Sequence, residues 1–284
     1  MMPPAHVAVI GLGLIGGSLA RDLAARGAHV SAFDADADCL AAAREAGVIH
    51  QALDETLAGV AECELIVIAV PVDAAARVLA TIATATRHAC LITDVGSTKG
   101  TIESAALSLG LGKRFVGSHP MAGSHESGWP ASRIDLFRDA CVYVCPTRES
   151  EFAAVKRAVD LWTGVGARCV SMPATTHDER VAWTSHAPHV VSAALGTALA
   201  QGGFLREHLG PGGRDVTRLA GGSPDLWTAI ACDNAAALDG VLARVEQEIA
   251  IFRRALSGGD AMAVRERFAA AHDWFHAGRE VQRR

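Results

Sequence analysis

At 284 residues, half of them apolar and a fifth charged, the chain is long enough for two domains and too hydrophobic to be disordered. A net charge of −5 gives no electrostatic pull toward nucleic acid or an anionic membrane surface, and no apolar run reaches the about 18–20 residues of a membrane span. Seven cysteines without disulfide-like spacing suit a reducing compartment, and MMPPAHVAVIG carries no basic leader or cleavage site, so the cytoplasm is expected.

The first predicted element is the apolar run His6–Ile10, a strand that meets Gly11-x-Gly13-x-x-Gly16. A helical pattern follows to Arg26, Gly27 ends it, and a second strand runs from Ala28 to Asp34. Each glycine has a physical task in a dinucleotide fold. Gly11 makes the tight turn, Gly13 lets the backbone approach a pyrophosphate, and Gly16 permits close helix–strand packing. The pyrophosphate then faces the positive end of the helix that begins near Leu14. Asp34, 18 residues after Gly16, is placed to accept the ribose hydroxyls; a carboxylate there repels a 2′-phosphate, so NAD is expected over NADP.

Further strands are predicted at Leu65–Val70, which ends at Pro71, at Ala89–Thr93 before DVGSTKG (94–100), at Arg114–Gly117, at Cys141–Cys145 and at Ala167–Ser171. A helix is expected at about Glu149–Thr163. Strand–helix alternation of this kind specifies an α/β Rossmann-type, doubly wound, mostly parallel sheet, with ligands beyond the carboxyl ends of the strands. The residues expected at the cofactor are Gly11, Gly13, Leu14, Ile15, Gly16, Asp34, Val70, Pro71 and Asp94.

From about Pro173 the strand pattern gives way to helices, which sets the expected boundary between a nucleotide domain (1–172) and an all-α substrate-binding and dimerisation domain (173–284). A long helical pattern spans 176–203, with His186 and His189 three apart on one face, Ser185 beside them, and Pro188 expected to kink it. Arg214, Asp215 and Arg218 crowd a short helix, Ser223 caps the next with Pro224 at its first position, and helices over Pro224–Leu256 and Asp260–Gln282 finish the chain. The alanine-rich helices suit burial against a second subunit.

Residues 117–128, GSHPMAGSHESG, set His119 and His125 in a run with neither helix nor strand periodicity. Pro120 and small neighbours are expected to leave the His119 ring accessible at the cofactor crevice, with His125 lining the loop. Arg218 suits a substrate carboxylate, against the plainer reading of an ion pair with Asp215. Zinc on His119, His125, His186 and His189 is disfavoured, because no Cys or acid completes a familiar spacing. Lys99 is read as the charged first turn of its helix, with a catalytic role as the alternative, and His272, Asp273, Trp274 and His276 as a solvated helix face.

Five segments in order, GLGLIGGSLA (11–20), DVGSTK (94–99), GSHPMAGSHESG (117–128), SHAPH (185–189) and RDVTRLAGGSPDLW (214–227), together resemble the prephenate and arogenate (cyclohexadienyl) dehydrogenases of the TyrA type. The resemblance implies NAD-dependent oxidative decarboxylation of a cyclohexadienol in tyrosine biosynthesis, by a homodimer joined through its helical domain. By the same resemblance His119 matches the catalytic base and Ser97 the serine that orients it and the nicotinamide. His189 and Arg218 match substrate-binding positions, and Ser124, Ser185, His186 and Trp227 match pocket positions. Some relatives carry Glu where His125 stands, and no appended regulatory or mutase domain is expected. A 4-amino-4-deoxyprephenate dehydrogenase and a non-catalytic NAD(H) sensor stand as the alternatives.

Overall fold

The computed structural model describes residues 4–86, 90–123 and 126–281. The chain alternates from the start: β1 (His6–Ile10), α1 (Leu14–Ala25), β2 (His29–Phe33), α2 (Ala37–Glu45), the two-residue β3 (Gln51–Ala52), β4 (Leu65–Ile68), α3 (Val72–Ala85), β5 (Leu91–Asp94) and α4 (Gly100–Ser108). These strands form one parallel sheet in the order β3-β2-β1-β4-β5. Both faces are covered, as a parallel sheet requires. Val7 and Val9 of β1 enter one core with Leu19 and Trp162, while Ala8 and Ile10 enter another with Leu79 and Ile102, following the two-residue alternation of side chains.

A second sheet of three strands follows: β6 (Val116–Pro120), β7 (Cys141–Pro146) and, after α5 (Phe152–Gly164), β8 (Arg168–Ser171). β6 pairs with β7 antiparallel, so this part departs from the parallel pattern. A single parallel bridge between Ile92 and Phe115 links the two sheets, so β5 and β6 run the same way and β6 continues past the end of β5.

β6 also corrects the expectation for GSHP, which has no strand periodicity of its own. Pairing with β7 draws Gly117–Pro120 into the sheet and places His119 opposite Tyr143. Tertiary pairing overrides weak local propensity here.

The helical part comprises α6 (Ala174–Val181), α7 (Ala187–Gln201), α8 (Pro211–Val216), α9 (Pro224–Asp233), α10 (Ala235–Ser257) and α11 (Ala261–Val281). The kink expected at Pro188 takes the form of a π-type turn over Ala182–His186, closed by Ala187 N–H donating to Ala182 C=O. The helix expected over Pro224–Leu256 is interrupted at Asn234, whose side chain turns inward to bond Asp178 and His186. Packing groups everything through Ala235 into one compact unit. From Ala236 onward the chain forms a second unit, in which Phe252 meets Phe268 edge to face at 5.2 Å. His272, Asp273, Trp274 and His276 are exposed on α11, as expected of a solvated face.

Candidate active site

Beyond the carboxyl ends of β1, β2 and β4, where strand order reverses, lies a cavity of about 520 Å³ lined by Gly11, Gly13, Asp34, Val70, Pro71 and Trp129, among others. Its geometry follows from the glycines. Gly11 sits at φ +100°, and a Cβ there would fall 2.5 Å from Ala69 O; a Cβ on Gly16 would fall 2.0 Å from Gly11 O. The turn can therefore press α1 against the strand ends. A Cβ on Gly13 would meet nothing within 4 Å, so the backbone there faces open space. Leu14, Ile15 and Gly16 open α1, whose N-terminus has no side-chain cap and no acid in its first turn. Uncapped N–H groups at the positive end of a helix fit a pyrophosphate.

Asp34 is held at the end of β2 by accepting hydrogen bonds from Leu12 N at 2.6 Å and Asp36 N at 2.9 Å. With Asp36 and Asp38 it gives this end of the cavity an acidic wall that fits ribose hydroxyls and opposes an added phosphate. Trp129 closes the other side. Arg21 of α1 packs over its ring at 3.9 Å and bonds Ser132 at 2.8 Å, while Ser18 and Asp22 accept from Arg133 N and Asp135 N.

His119 lies at the end of β6, on the same side as the ends of β5 and the nucleotide cavity. It is only 8% exposed, so the expectation of an accessible ring in an open loop is corrected. The strand pairing encloses it. Burial pushes its pKa well below the ordinary imidazole value, and the ionisable neighbours His177, Lys99 and His186 push the same way, since none of them favours a second cation beside it. The ring is therefore neutral at physiological pH. Its Nδ1 lies 2.9 Å from Nε2 of His177, whose own Nδ1 lies 2.7 Å from Asp178 Oδ1.

Neither His177 nor Asp178 was singled out in the sequence, where THDERV reads as a polar helix start. In this structure the side chain bonded to His119 Nδ1 is His177. Ser97 is half-buried on the loop between β5 and α4. Asp94, expected at the cofactor, turns its carboxylate inward: it pairs with Lys99 and accepts from Gly96 N at 2.9 Å. Lys99 is 1% exposed and is no solvated helix charge.

The helical part supplies a second set of groups. Asn234 Nδ2 bonds both the carbonyl of Asp178, at 2.9 Å, and His186 Nδ1, at 3.1 Å. A carbonyl can only accept, so the atom is the amide nitrogen, His186 Nδ1 accepts, and the hydrogen of neutral His186 sits on Nε2. That Nε2 is buried without a hydrogen-bond partner among the described residues, as is Nδ1 of His189. Buried orphan polar atoms call for a ligand or water. His189 stacks on Trp227 at 3.4 Å, and His186 meets the same indole edge to face at 6.2 Å.

Burial lowers the pKa of His189 against the opposing pull of the Leu219 backbone, and Arg218 is close enough to lower it further; Arg218 makes no ion pair with Asp215 among the described residues. Ser192 of α7 positions this segment by donating to Val216 O and accepting from Ala220 N. Ser185 is half-buried in the π-type turn. Ser124 and His125 lie outside the described residues.

Burial lowers the pKa of His186 from 6.5 to about 4. The unfolded chain therefore binds a proton that the folded chain refuses as pH falls through that window, and stability drops with it. A His186→Gln variant is expected to show a shallower loss of Tm between pH 6.5 and about 4 than the parent protein. Parallel slopes would assign the acid sensitivity to other groups.

Comparison with known proteins accords with this geometry. The family model for the prephenate dehydrogenase nucleotide-binding domain matches residues 19–171, and that for the prephenate dehydrogenase dimerization domain matches 173–270. The chain is 34% identical to a prephenate dehydrogenase of Bacillus subtilis (strain 168), over 94% of this chain and 74% of that one. It is 32% identical to a cyclohexadienyl dehydrogenase of Zymomonas mobilis, over 93% and 92%. The fold matches the crystal structure of the A. aeolicus prephenate dehydrogenase in complex with hydroxyphenyl propionate and NAD+, with a TM-score of 0.89, 24% identity, and coverage of 96% and 97%.

Proposed function

Because the chain belongs to the prephenate dehydrogenase family, we propose that it oxidatively decarboxylates prephenate to 4-hydroxyphenylpyruvate, or arogenate to tyrosine, with NAD⁺ as oxidant. It is an oxidoreductase with a nucleotide-binding Rossmann domain. The observation that carries the reaction is His119, a buried neutral imidazole whose Nε2 has no hydrogen-bond partner among the described residues, at the sheet end shared with the nucleotide cavity.

Gly11, Gly13, Leu14, Ile15 and Gly16 are the residues that would hold the pyrophosphate, Asp34 the ribose, and Val70, Pro71 and the 94–97 backbone the nicotinamide end. NAD⁺ held there would supply the hydride acceptor for the ring carbon that bears the substrate hydroxyl. His119 takes the hydroxyl proton as that carbon becomes trigonal. The bond to the ring carboxylate then breaks, its electron pair completes the aromatic ring, CO₂ leaves, and the phenol oxygen recovers a proton. A base that is neutral at physiological pH suits this task. By the family resemblance Ser97, on the β5–α4 loop, would orient His119 and the nicotinamide.

Arg218 pairs with a substrate carboxylate. His186 offers its Nε2–H and His189 its unpartnered Nδ1 to the substrate's other polar groups, and Trp227 fixes both rings. Ser185, half-buried in the π-type turn, would line the same pocket. Arg218→Ala is expected to raise KM about 10–100-fold, the worth of a charge-assisted hydrogen bond, with kcat changed far less. An unchanged KM would remove Arg218 from the pocket.

The helical domain, taken as 173–284 after a nucleotide domain of 1–172, joins two copies. Ile249, Leu256, Met262, Phe268 and Phe275 are all more than half exposed on α10 and α11, an apolar surface suited to a partner. Seven free thiols fit a reducing cytoplasm, and no helix among the described residues is long and apolar enough to cross a membrane.

The test of the reaction is NADH absorbance with prephenate and arogenate in parallel. Turnover of either supports the reading and the ratio of kcat/KM names the substrate. Tight NADH binding with no turnover of either would overturn it.

A further inference from the structure

We propose that Asp178 and His177 hold His119 in its Nδ1–H tautomer, so that the Nε2 lone pair is the one presented to the substrate hydroxyl. The inference rests on the reading of His119 as the base, and it adds a positioning pair behind that residue.

The proton arrangement follows from one end of the chain. Asp178 Oδ1 accepts from Lys99 N at 2.9 Å and from His177 Nδ1 at 2.7 Å, while Oδ2 accepts from Gly100 N at 2.8 Å. Burial pushes this carboxyl's pKa up, but the bonds from His177 and the two backbone N–H groups outweigh it and leave the value below the ordinary carboxylate range. Asp178 is thus an ionised, acceptor-only group, and His177 Nδ1 must donate to it.

With Nδ1 donating, an uncharged His177 ring carries its lone pair on Nε2, and the only atom bonded there among the described residues is His119 Nδ1 at 2.9 Å. Two lone pairs cannot share that distance, so His119 supplies the hydrogen. Its Nε2 is left unprotonated. The opposite arrangement needs a doubly protonated His177. That places a cation at a fully buried position between His119 and Tyr143, with Lys99 nearby, and makes His119 a donor rather than a base.

Asp178 serves a second purpose that fixes its position. By accepting from Lys99 N and Gly100 N it caps α4, whose own N-cap residue contributes no side-chain bond. The carboxylate therefore ties the tautomer of His119 to the start of the helix that follows the 94–99 loop.

The test is the tautomer itself, read from long-range nitrogen–proton correlation spectra of full-length protein carrying ¹⁵N-histidine, with the His119 signals assigned by their loss in His119→Asn. The parent protein is expected to show a protonated Nδ1 and a bare Nε2. His177→Leu removes the acceptor at similar volume. It is expected to shift His119 toward the Nε2–H form and to lower kcat at least about 10-fold, with NADH affinity unchanged. His177→Gln, whose amide oxygen can accept the same bond, is expected to restore the Nδ1–H form and most of kcat.

An Nε2–H tautomer in the parent protein, or an unchanged tautomer in His177→Leu, would overturn the assignment. The parent spectrum alone decides the first point, even if His177→Leu does not fold. Near-normal turnover of His119→Asn alongside an observed Nδ1–H tautomer would instead remove the base and leave the positioning pair standing.

Discussion

His119→Asn is expected to lower kcat by about 10²–10⁴-fold, the usual worth of general base catalysis, while NADH binds as before. Asparagine is the informative replacement because it separates two roles of the imidazole. Its amide can donate to His177 Nε2, so the chain back to Asp178 persists and the end of β6 keeps its packing. What it lacks is a nitrogen that can take a proton.

The nucleotide cavity is lined by other elements, the β1–α1 turn, the end of β2 and the end of β4, so affinity for the dinucleotide has no reason to change. Steady-state rates with the better substrate, paired with a fluorescence titration of NADH, check both halves. A kcat within a few-fold of the parent would show that aromatisation proceeds without a protein base, and His119 would become a packing residue. A parallel loss of NADH affinity would point to collapse of the strand end instead.

The nucleotide half was legible because its signals are local. Three glycines, a strand on either side and an acid at the second strand end lie within 29 residues, from His6 to Asp34, and each has a backbone reason to be there. The capping of α9 by Ser223, with Pro224 after it, was readable for the same reason. The centre of the site was only half legible.

His119 stood out through its motif, but its environment did not, because the pairing that buries it comes from β7, more than twenty residues later. His177 and Asp178 gave no signal. An acidic dipeptide step at a helix start is ordinary surface chemistry, and their partners, His119 and the Lys99–Gly100 backbone, are 58 and 78–79 residues away. Asn234 was hidden by the same cause. It breaks what reads as one continuous helix in order to bond His186, 48 positions earlier. Polar residues that act through long-range bonds leave no periodicity, so only the folded structure reveals them.

Lys99 is the clearest case of a misleading local context, and it leads to the second large effect. At the head of a helix a lysine reads as a solvated charge, one that even opposes the helix dipole. In the structure it lies fully buried against Asp94, and its stem packs beside Gly117, where a Cβ would sit 3.0 Å from Lys99 Cδ. Lys99→Met keeps an unbranched apolar stem and removes only the ammonium.

Asp94 would retain its bond from Gly96 N, yet it would lose the one counter-charge it has among the described residues. Breaking one partner of a buried pair costs about 3–5 kcal/mol, because the remaining charge is left without compensation. Urea unfolding of Lys99→Met should register a loss of that size, and the double variant Lys99→Met/Asp94→Asn should recover part of it, since a neutral amide needs no counter-ion. A loss below about 1 kcal/mol in the single variant would mean that water or a rearrangement satisfies Asp94, and that the pair does not hold the β5–α4 junction.

The same substitution has a kinetic signature of opposite origin. The Lys99 charge helps keep the pKa of His119 low, so its removal lets His119 hold a proton to higher pH. The acid limb of the kcat/KM profile should then move upward. A limb that stays in place while stability falls would show that burial alone keeps His119 neutral, and that Lys99 serves the fold without tuning the base.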